Sequence, residues 1–112
     1  MELIVKALDA KKGKDISVLK TEEVTILADY FIICTANSST HIKTLTDEAS
    51  KAMADKGEPP IRTEGYRNGG WVLLDFGAIV VHLFLNEMRN FYDLERLWSD
   101  AAKTDISYLT TE

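Results

Sequence analysis

The chain has 112 residues, of which 46% are hydrophobic and 28% are charged. This length fits one domain with a single core, and the hydrophobic share is too high for a disordered chain. The formal net charge of −5 argues against a partner held mainly through phosphate groups, because such binding depends on clustered lysine and arginine. We therefore expect no primary contact with nucleic acid, whereas a basic protein surface is a suitable partner.

The sequence carries no signal for export, membrane insertion or metal binding. The amino terminus lacks the basic leader and the small-residue cleavage site of a signal peptide, and no apolar run approaches the roughly 18 residues that span a bilayer. Cys34 is the single cysteine, which excludes an internal disulfide and a cysteine-based metal site. We expect a cytoplasmic protein that uses no metal and no cofactor.

The first half of the chain predicts a helix, two strands and a second helix. An apolar helical stripe runs from Leu3 towards Gly13, and an alternating pattern over 15–20 predicts a half-buried strand. The continuous apolar run DYFIICT predicts a central strand covered on both faces. From Thr40 to Gly57, apolar residues recur at helical spacing after serine and threonine residues that can cap a helix. The first stripe consists of Leu3, Ile4, Ala7 and Leu8.

The second half predicts a β-hairpin followed by a helix. The runs WVLLDF and IVVHLF are separated by Gly77, and the segment NEMRNFYDLERLWSDA has helical spacing. Strands joined through the central helix should be parallel and those of the hairpin antiparallel. We therefore expect a single α/β domain over residues 1–102, with a mixed β-sheet flanked by helices, and a poorly patterned tail over residues 103–112.

A two-residue connection in this hairpin would sort its side chains onto two faces. A wholly apolar face is expected to join the core, and it carries Val72, Leu74, Phe76, Ile79, Val81 and Leu83. The other face is mixed, and it carries Trp71, Leu73, Asp75, Val80, His82 and Phe84. The residues alone modestly favour a mixed face that a helix covers. The alternative is a face that stays partly open for a partner, with tryptophan as a common anchor.

Candidate catalytic groups are few. His41 begins a helix and His82 lies within a strand, so both are explained as structural residues. Metal-dependent phosphoryl transfer needs two or three carboxylates focused on one site. The strands supply Asp75 without a second acid two residues away, and Asp29 is an isolated acid that could approach it. We expect no enzyme activity; the alternative is a nucleotide-binding enzyme of nucleotidyltransferase type that uses the ANSST loop and Asp75.

Four motifs follow one another in the order and spacing of the ribosomal silencing factor family, also called iojap-like or RsfS. They are DYFIICTANSSTH, the EG pair at Glu64 and Gly65, GGWVLLDFGAIVVHLF and FYDLERLW, and the resemblance covers Asp29 to Ala101. The resemblance implies a topology similar to nucleotidyltransferases but without their acidic catalytic pair. It also implies binding to a ribosomal protein of the L fourteen family on the large subunit. The bound protein would sterically block the small subunit and repress translation under nutrient limitation, and the free protein would form a homodimer.

By position, the resemblance places the partner surface on the first hairpin strand, the hairpin tip and the residues just beyond the second strand. Leu73 is included because it shares the face of Trp71. Many family members carry an acid after the hairpin glycine, where this chain has Ala78. The electrostatic part of binding would therefore rest on Asp75, Glu87 and the general negative charge. The candidate partner-binding residues are Trp71, Leu73, Asp75, Phe76, Glu87 and Met88.

Overall fold

The structure, a computed structural model, describes residues 1–22, 28–67, 70–93, 96 and 102–110. Over these residues the chain forms an α/β layer structure built on a six-stranded mixed sheet, which confirms the predicted fold class. In chain order the elements are α1 (Glu2–Ala10), β1 (Lys14–Lys20), β2 (Tyr30–Ala36), α2 (Ser39–Asp55), β3 (Arg62–Glu64), β4 (Trp71–Asp75), β5 (Ile79–Leu85), α3 (Asn86–Tyr92) and β6 (Ala102–Thr104), with a 3₁₀ turn at Ser107–Leu109.

The strands lie in the order β3-β4-β5-β2-β1-β6. The central pair, β2 and β5, is parallel, and the other neighbouring strands are antiparallel. Helix α2 returns the chain to the end of the sheet at which β2 started, so β3 runs in the direction of β2. Two antiparallel steps, from β3 to β4 and from β4 to β5, then make β5 parallel to β2. The predicted mixed strand direction is therefore confirmed. The carboxyl ends of β2 and β5 lie side by side at one end of the strands, and the turn of the β4–β5 hairpin lies at the other end.

Helices α1 and α2 pack against each other and cover one face of the sheet, where the larger of two apolar clusters lies. We call this cluster the helix-side core. The predicted first helix is confirmed, but its buried stripe is rotated, since Ile4, Val5 and Leu8 are buried while Leu3 is 40% exposed. None of the helices in the described ranges is long and apolar enough to cross a membrane.

Strand β1 is more deeply buried than its alternating pattern predicts. Val18 belongs to the helix-side core, whereas Ser17 and Leu19 are buried on the opposite face. Strand β1 is an interior strand, paired with β6 along its outer side, and an apolar cluster lies against it on each side of the sheet. The expected half-buried strand is therefore wrong, and β1 is covered on both faces.

The chain beyond residue 102 belongs to the fold. The expected boundary between domain and tail falls inside β6, which pairs with β1. Ile106 and Leu109, which follow β6, are both 8% exposed and lie in the helix-side core. These two side chains contribute apolar burial, so the described part of residues 103–112 is packed rather than a free tail.

The amino terminus of α2 is capped as the sequence predicts. Ser38 has an extended backbone, and its hydroxyl oxygen accepts a hydrogen bond of 3.1 Å from the backbone N–H of His41. Ser38→Ala is expected to lower the free energy of unfolding by about 1 kcal/mol, because this N–H loses its partner. Urea unfolding measures the change. Ser39→Ala is the matched control, and an equal loss in both variants would contradict the assignment of the cap.

Helix α3 begins directly after β5 and is held there by Arg89. The Arg89 guanidinium donates to Thr35 Oγ1 at 2.9 Å and to the carbonyl oxygen of Asp15, so it ties α3 to β1 and β2. The helix ends at Asp93, which adopts a left-handed conformation with a φ of 44°. The predicted helix over residues 86–101 is confirmed for Asn86–Tyr92, and most of its remainder lies outside the described residues.

Candidate partner-binding surface

The β4–β5 hairpin sorts its side chains as the alternation predicts. The backbone N–H of Phe76 bonds the carbonyl oxygen of Ile79 at 2.9 Å, so the connection consists of Gly77 and Ala78. The apolar face joins the helix-side core, with Val72, Leu74, Val81 and Leu83 fully buried. Strand β4 therefore presents Trp71, Leu73 and Asp75 on the opposite side of the sheet, and we call these three residues the β4 face.

The sheet side opposite the helices holds a second apolar cluster, which we call the far-side cluster. Its buried members are Leu19, Ala28, Phe31, Ile33 and Phe84, and the partly buried Trp71, Val80 and Met88 pack against it. His82 lies on the same side of the sheet and is 5% exposed. This side is therefore covered over β2 and β5 but half open along β4, which combines the two interpretations that the sequence left open.

Trp71 lies at the border of the far-side cluster, where contacts with His82 and Phe84 help to hold it. Its indole Nε1–H donates a hydrogen bond of 3.2 Å to His82 Nδ1. Its ring stacks on Phe84, with ring centroids 5.1 Å apart and an angle of 26° between the planes. A large aromatic side chain that is partly exposed and fixed in orientation has the properties of an interface anchor.

A shallow pocket of about 220 Å³ adjoins this tryptophan, and Glu64, Gly65, Trp71 and Leu73 line it. Gly65 has a φ of 81°, and a Cβ atom at this position would collide with the carbonyl oxygen of Trp71. Glycine is therefore required for the close approach of the β3–β4 connection to Trp71. This contact gives a physical role to the glycine of the EG motif.

The carboxylate of Asp75 already has partners within the protein. Its Oδ1 accepts a hydrogen bond of 2.8 Å from the backbone N–H of Gly77, and its Oδ2 lies 3.6 Å from Arg62 Nε. Arg62 also lies 3.6 Å from a carboxylate oxygen of Glu64. The carboxylate of Asp75 thus stabilises the turn and shares a surface cation, so a basic partner would compete with Arg62 for it.

The structure separates two of the candidate residues from the β4 face. Phe76 packs against the helix-side core, on the other side of the sheet from Trp71. Glu87 is exposed and lines an open cleft at the carboxyl edge of the sheet. Met88, in contrast, packs against the far-side cluster together with Trp71. The β4 face and Met88 therefore lie on one side of the sheet, while Phe76 and Glu87 lie elsewhere.

Strand β3 adds residues that reasoning from the sequence missed. It pairs with β4 so that Arg62 lies opposite Asp75 and Glu64 lies opposite Leu73, which brings two exposed charged side chains to the rim of the β4 face. The EG motif, which contains Glu64, was the signal in the sequence for this strand, but no role could be assigned to the motif from the sequence alone. A three-residue edge strand has too few side chains to show a pattern.

The residues of the alternative nucleotide site do not meet. The ANSST loop lies at the carboxyl end of β2. Asp75 pairs with Val80 of β5, which in turn pairs with Phe31 near the amino-terminal end of β2. The strand between them separates the two by about 17 Å. His41 is structural as expected, since its Nδ1 accepts from the backbone N–H of Asn37 at 2.9 Å. Within the described ranges, no group of three His, Cys, Asp or Glu side chains could hold a metal ion.

Burial keeps His82 neutral and lowers its pKa from 6.5 to about 4. The unfolded chain therefore takes up a proton between these values while the folded protein does not. The contribution of the neutral His82 side chain to the free energy of unfolding is expected to be complete above pH 6.5 and to fall by about 3 kcal/mol as the pH is lowered to 4. Asp105 takes up its proton below this pH range, because a backbone hydrogen bond from Ser107 lowers its pKa from the usual 3.8.

Urea unfolding between pH 7.5 and 4 measures this dependence. His82→Phe is the matched variant, because phenylalanine keeps an aromatic ring and cannot take up a proton. We expect the variant to lose much less stability than the wild-type protein over this pH range. Parallel losses in the two proteins would show that His82 is not the titrating group.

Comparison with known proteins gives matches along the whole chain. Residues 1–112 match the model of the family described as ribosomal silencing factor during starvation. The ribosomal silencing factor RsfS of Halalkalibacterium halodurans is 36% identical over 106 residues, which cover 95% of this chain and 91% of that protein. The Mus musculus protein named mitochondrial assembly of ribosomal large subunit protein 1 is 29% identical over 102 residues, covering 88% of this chain and 45% of that protein.

The similarity extends to solved structures. A crystal structure of a Chromobacterium violaceum protein superposes with a TM-score of 0.86 at 35% sequence identity, and the match covers 95% of this chain and 88% of that chain. Sequence and fold therefore agree over nearly the full length of both proteins.

Proposed function

Because the chain belongs to the ribosomal silencing factor family, we propose that it binds the large ribosomal subunit and prevents the small subunit from joining. This family is one of ribosome-binding factors and not of enzymes. The half-open β4 face with its fixed tryptophan carries the proposal, since it offers an anchor without catalytic equipment. The family description refers to starvation and the name of the mouse relative refers to the ribosomal large subunit, which supports this target.

The contact on the large subunit would be a basic ribosomal protein of the L fourteen family at the subunit-joining face. Trp71 and Leu73 would supply the apolar centre, with Met88 beside them and Glu64 and Asp75 as an acidic rim. Desolvated aromatic anchors surrounded by polar side chains are the usual arrangement in such interfaces. The formal net charge of −5 favours a basic protein over RNA as the primary contact.

Exclusion of the small subunit would be steric. The molecule measures 33 × 33 × 28 Å along its principal axes. A body of this size on the joining face would hold the two subunits far beyond the distance of about 4 Å at which side chains touch. Binding alone would then repress translation under nutrient limitation, with no chemical step required.

Three further properties belong to the same proposal. The sheet topology would be of the nucleotidyltransferase type without the acidic catalytic pair, in keeping with the lack of a second acid beside Asp75 on β4. The protein would act in the cytoplasm. In the absence of ribosomes it would form a homodimer, which sedimentation equilibrium tests through the molecular mass.

The experiment that tests the proposed function follows subunit joining. Isolated large and small subunits are mixed in magnesium, and light scattering reports the joined particles as the protein is added. We expect the joined fraction to fall in proportion to the occupancy of large subunits. The order of addition gives the control, since the protein should act more strongly when it meets large subunits first. An unchanged joined fraction at saturating protein would defeat the proposal.

A further inference from the structure

His82 is a polar residue in an apolar setting. It lies in the middle of β5, between Leu73 on β4 and Ile33 on β2 in the sheet register. Its ring centroid is 5.1 Å from that of Phe31 and 6.1 Å from that of Phe84. Burial of an imidazole among aromatic rings lowers stability unless its nitrogen atoms find partners. The presence of histidine here is therefore not explained by packing alone.

The hydrogen bond to Trp71 fixes the chemical state of this imidazole. An indole N–H can only donate, so His82 Nδ1 must be the acceptor and the ring proton must lie on Nε2. Among the described residues, the buried Nε2 atom has no hydrogen-bond partner. Within the described part of the chain, one ring nitrogen thus lacks a partner while the other holds Trp71. A phenylalanine has no ring nitrogen to satisfy but could not accept the indole proton.

We propose that His82 is a positioning residue, which orients the indole of Trp71 before the partner arrives. This inference rests on the proposed function, because it concerns the same β4 face. A partly exposed tryptophan without this hydrogen bond would sample other orientations, and binding would then have to order it again. The stacking of Trp71 on Phe84 defines the plane of the indole, and the bond to His82 defines which edge faces the sheet.

Two substitutions separate the two properties of the imidazole. His82→Phe keeps an aromatic ring for the far-side cluster and removes the acceptor. His82→Asn keeps an acceptor, because asparagine Oδ1 occupies nearly the place of Nδ1, and removes the ring. If His82 only filled the core, affinity would follow stability, and the asparagine variant would be the poorer one in both measurements. A positioning role predicts the opposite order for affinity.

The experiment measures thermal unfolding and affinity for isolated large subunits at pH 7.5, at a temperature where every variant is folded. We expect the phenylalanine variant to unfold at or above the wild-type temperature and yet to bind roughly 3- to 10-fold more weakly. The asparagine variant should unfold earlier but bind more tightly than the phenylalanine variant. In the free protein, the Trp71 indole N–H should exchange with solvent faster in the phenylalanine variant.

Each other outcome overturns a stated part of the account. Wild-type affinity in the phenylalanine variant, with Trp71→Ala still binding much more weakly, would remove the positioning role and leave the proposed function intact. An affinity order that follows stability would also remove it, as would an unchanged indole exchange rate. A wild-type protein that does not bind large subunits would overturn the proposed function and the positioning role together.

Discussion

Trp71→Ala is expected to weaken binding to the large ribosomal subunit by roughly 30-fold or more, which corresponds to about 2 kcal/mol. Trp71 is half-buried, stacked on Phe84 and hydrogen-bonded to His82, so its exposed part is already ordered before binding. Truncation removes the apolar contact that this ordered ring offers a partner. Fluorescence anisotropy of the labelled protein, titrated with purified large subunits, measures the change.

Tyr108→Ala is the matched control for this measurement. Tyr108 is 66% exposed, and its hydroxyl contacts Glu2 of α1, away from the β4 face. Both variants remove an exposed aromatic ring, but only the change at Trp71 should reduce affinity. Circular dichroism and thermal unfolding check that both variants are folded. Equal affinities of the Trp71 and Tyr108 variants would contradict the assigned surface.

Gly65→Ala is expected to lower the free energy of unfolding by about 4 kcal/mol. Part of this loss is the cost of a φ of 81° for a residue with a Cβ atom, and the larger part is the collision of that atom with the carbonyl oxygen of Trp71. The carbonyl belongs to β4 and cannot move without disturbing the sheet. Urea unfolding followed by far-ultraviolet circular dichroism measures the effect.

Gly57→Ala isolates the backbone part of this effect. Gly57 has a φ of 87°, close to that of Gly65, but no atom lies within 4 Å of the position its Cβ would take. We expect Gly57→Ala to cost about 1 kcal/mol. Similar losses in the two variants would show that the approach of Gly65 to Trp71 is not close, and the assigned role of the EG motif would then be wrong.

Elements specified by local patterns were predictable from the sequence. The period of α2, its capping serine and the glycine and prolines beyond it all lie within one stretch of chain, and the hairpin faces follow from alternation alone. Strand β6 could not be predicted, because Ala102–Thr104 has no pattern of its own and is a strand through its pairing with β1. The burial of Ser17, whose polarity predicted exposure, is likewise a property of the tertiary packing.

The candidate surface was predictable in part for the same reason. Alternation placed Trp71, Leu73 and Asp75 together, and it also assigned Phe76 to the apolar face, where the structure has it packed. The resemblance to the silencing factor family had instead placed Phe76, the residue before the hairpin glycine, on the partner surface. How far a sheet face stays open depends on the segments packed over it. The partial exposure of Trp71 and the burial of His82 are therefore tertiary properties.

Site-specific photo-crosslinking from Leu73 tests most directly whether the β4 face is the contact surface. A photoreactive phenylalanine analogue replaces Leu73, the protein is bound to large subunits, and mass spectrometry identifies the crosslinked partner. The same analogue at Leu3, which is 40% exposed on α1, is the control. We expect a crosslink from position 73 to the ribosomal protein of the L fourteen family and none from position 3. Crosslinks from position 73 only to ribosomal RNA, or to the same protein from both positions, would contradict the account.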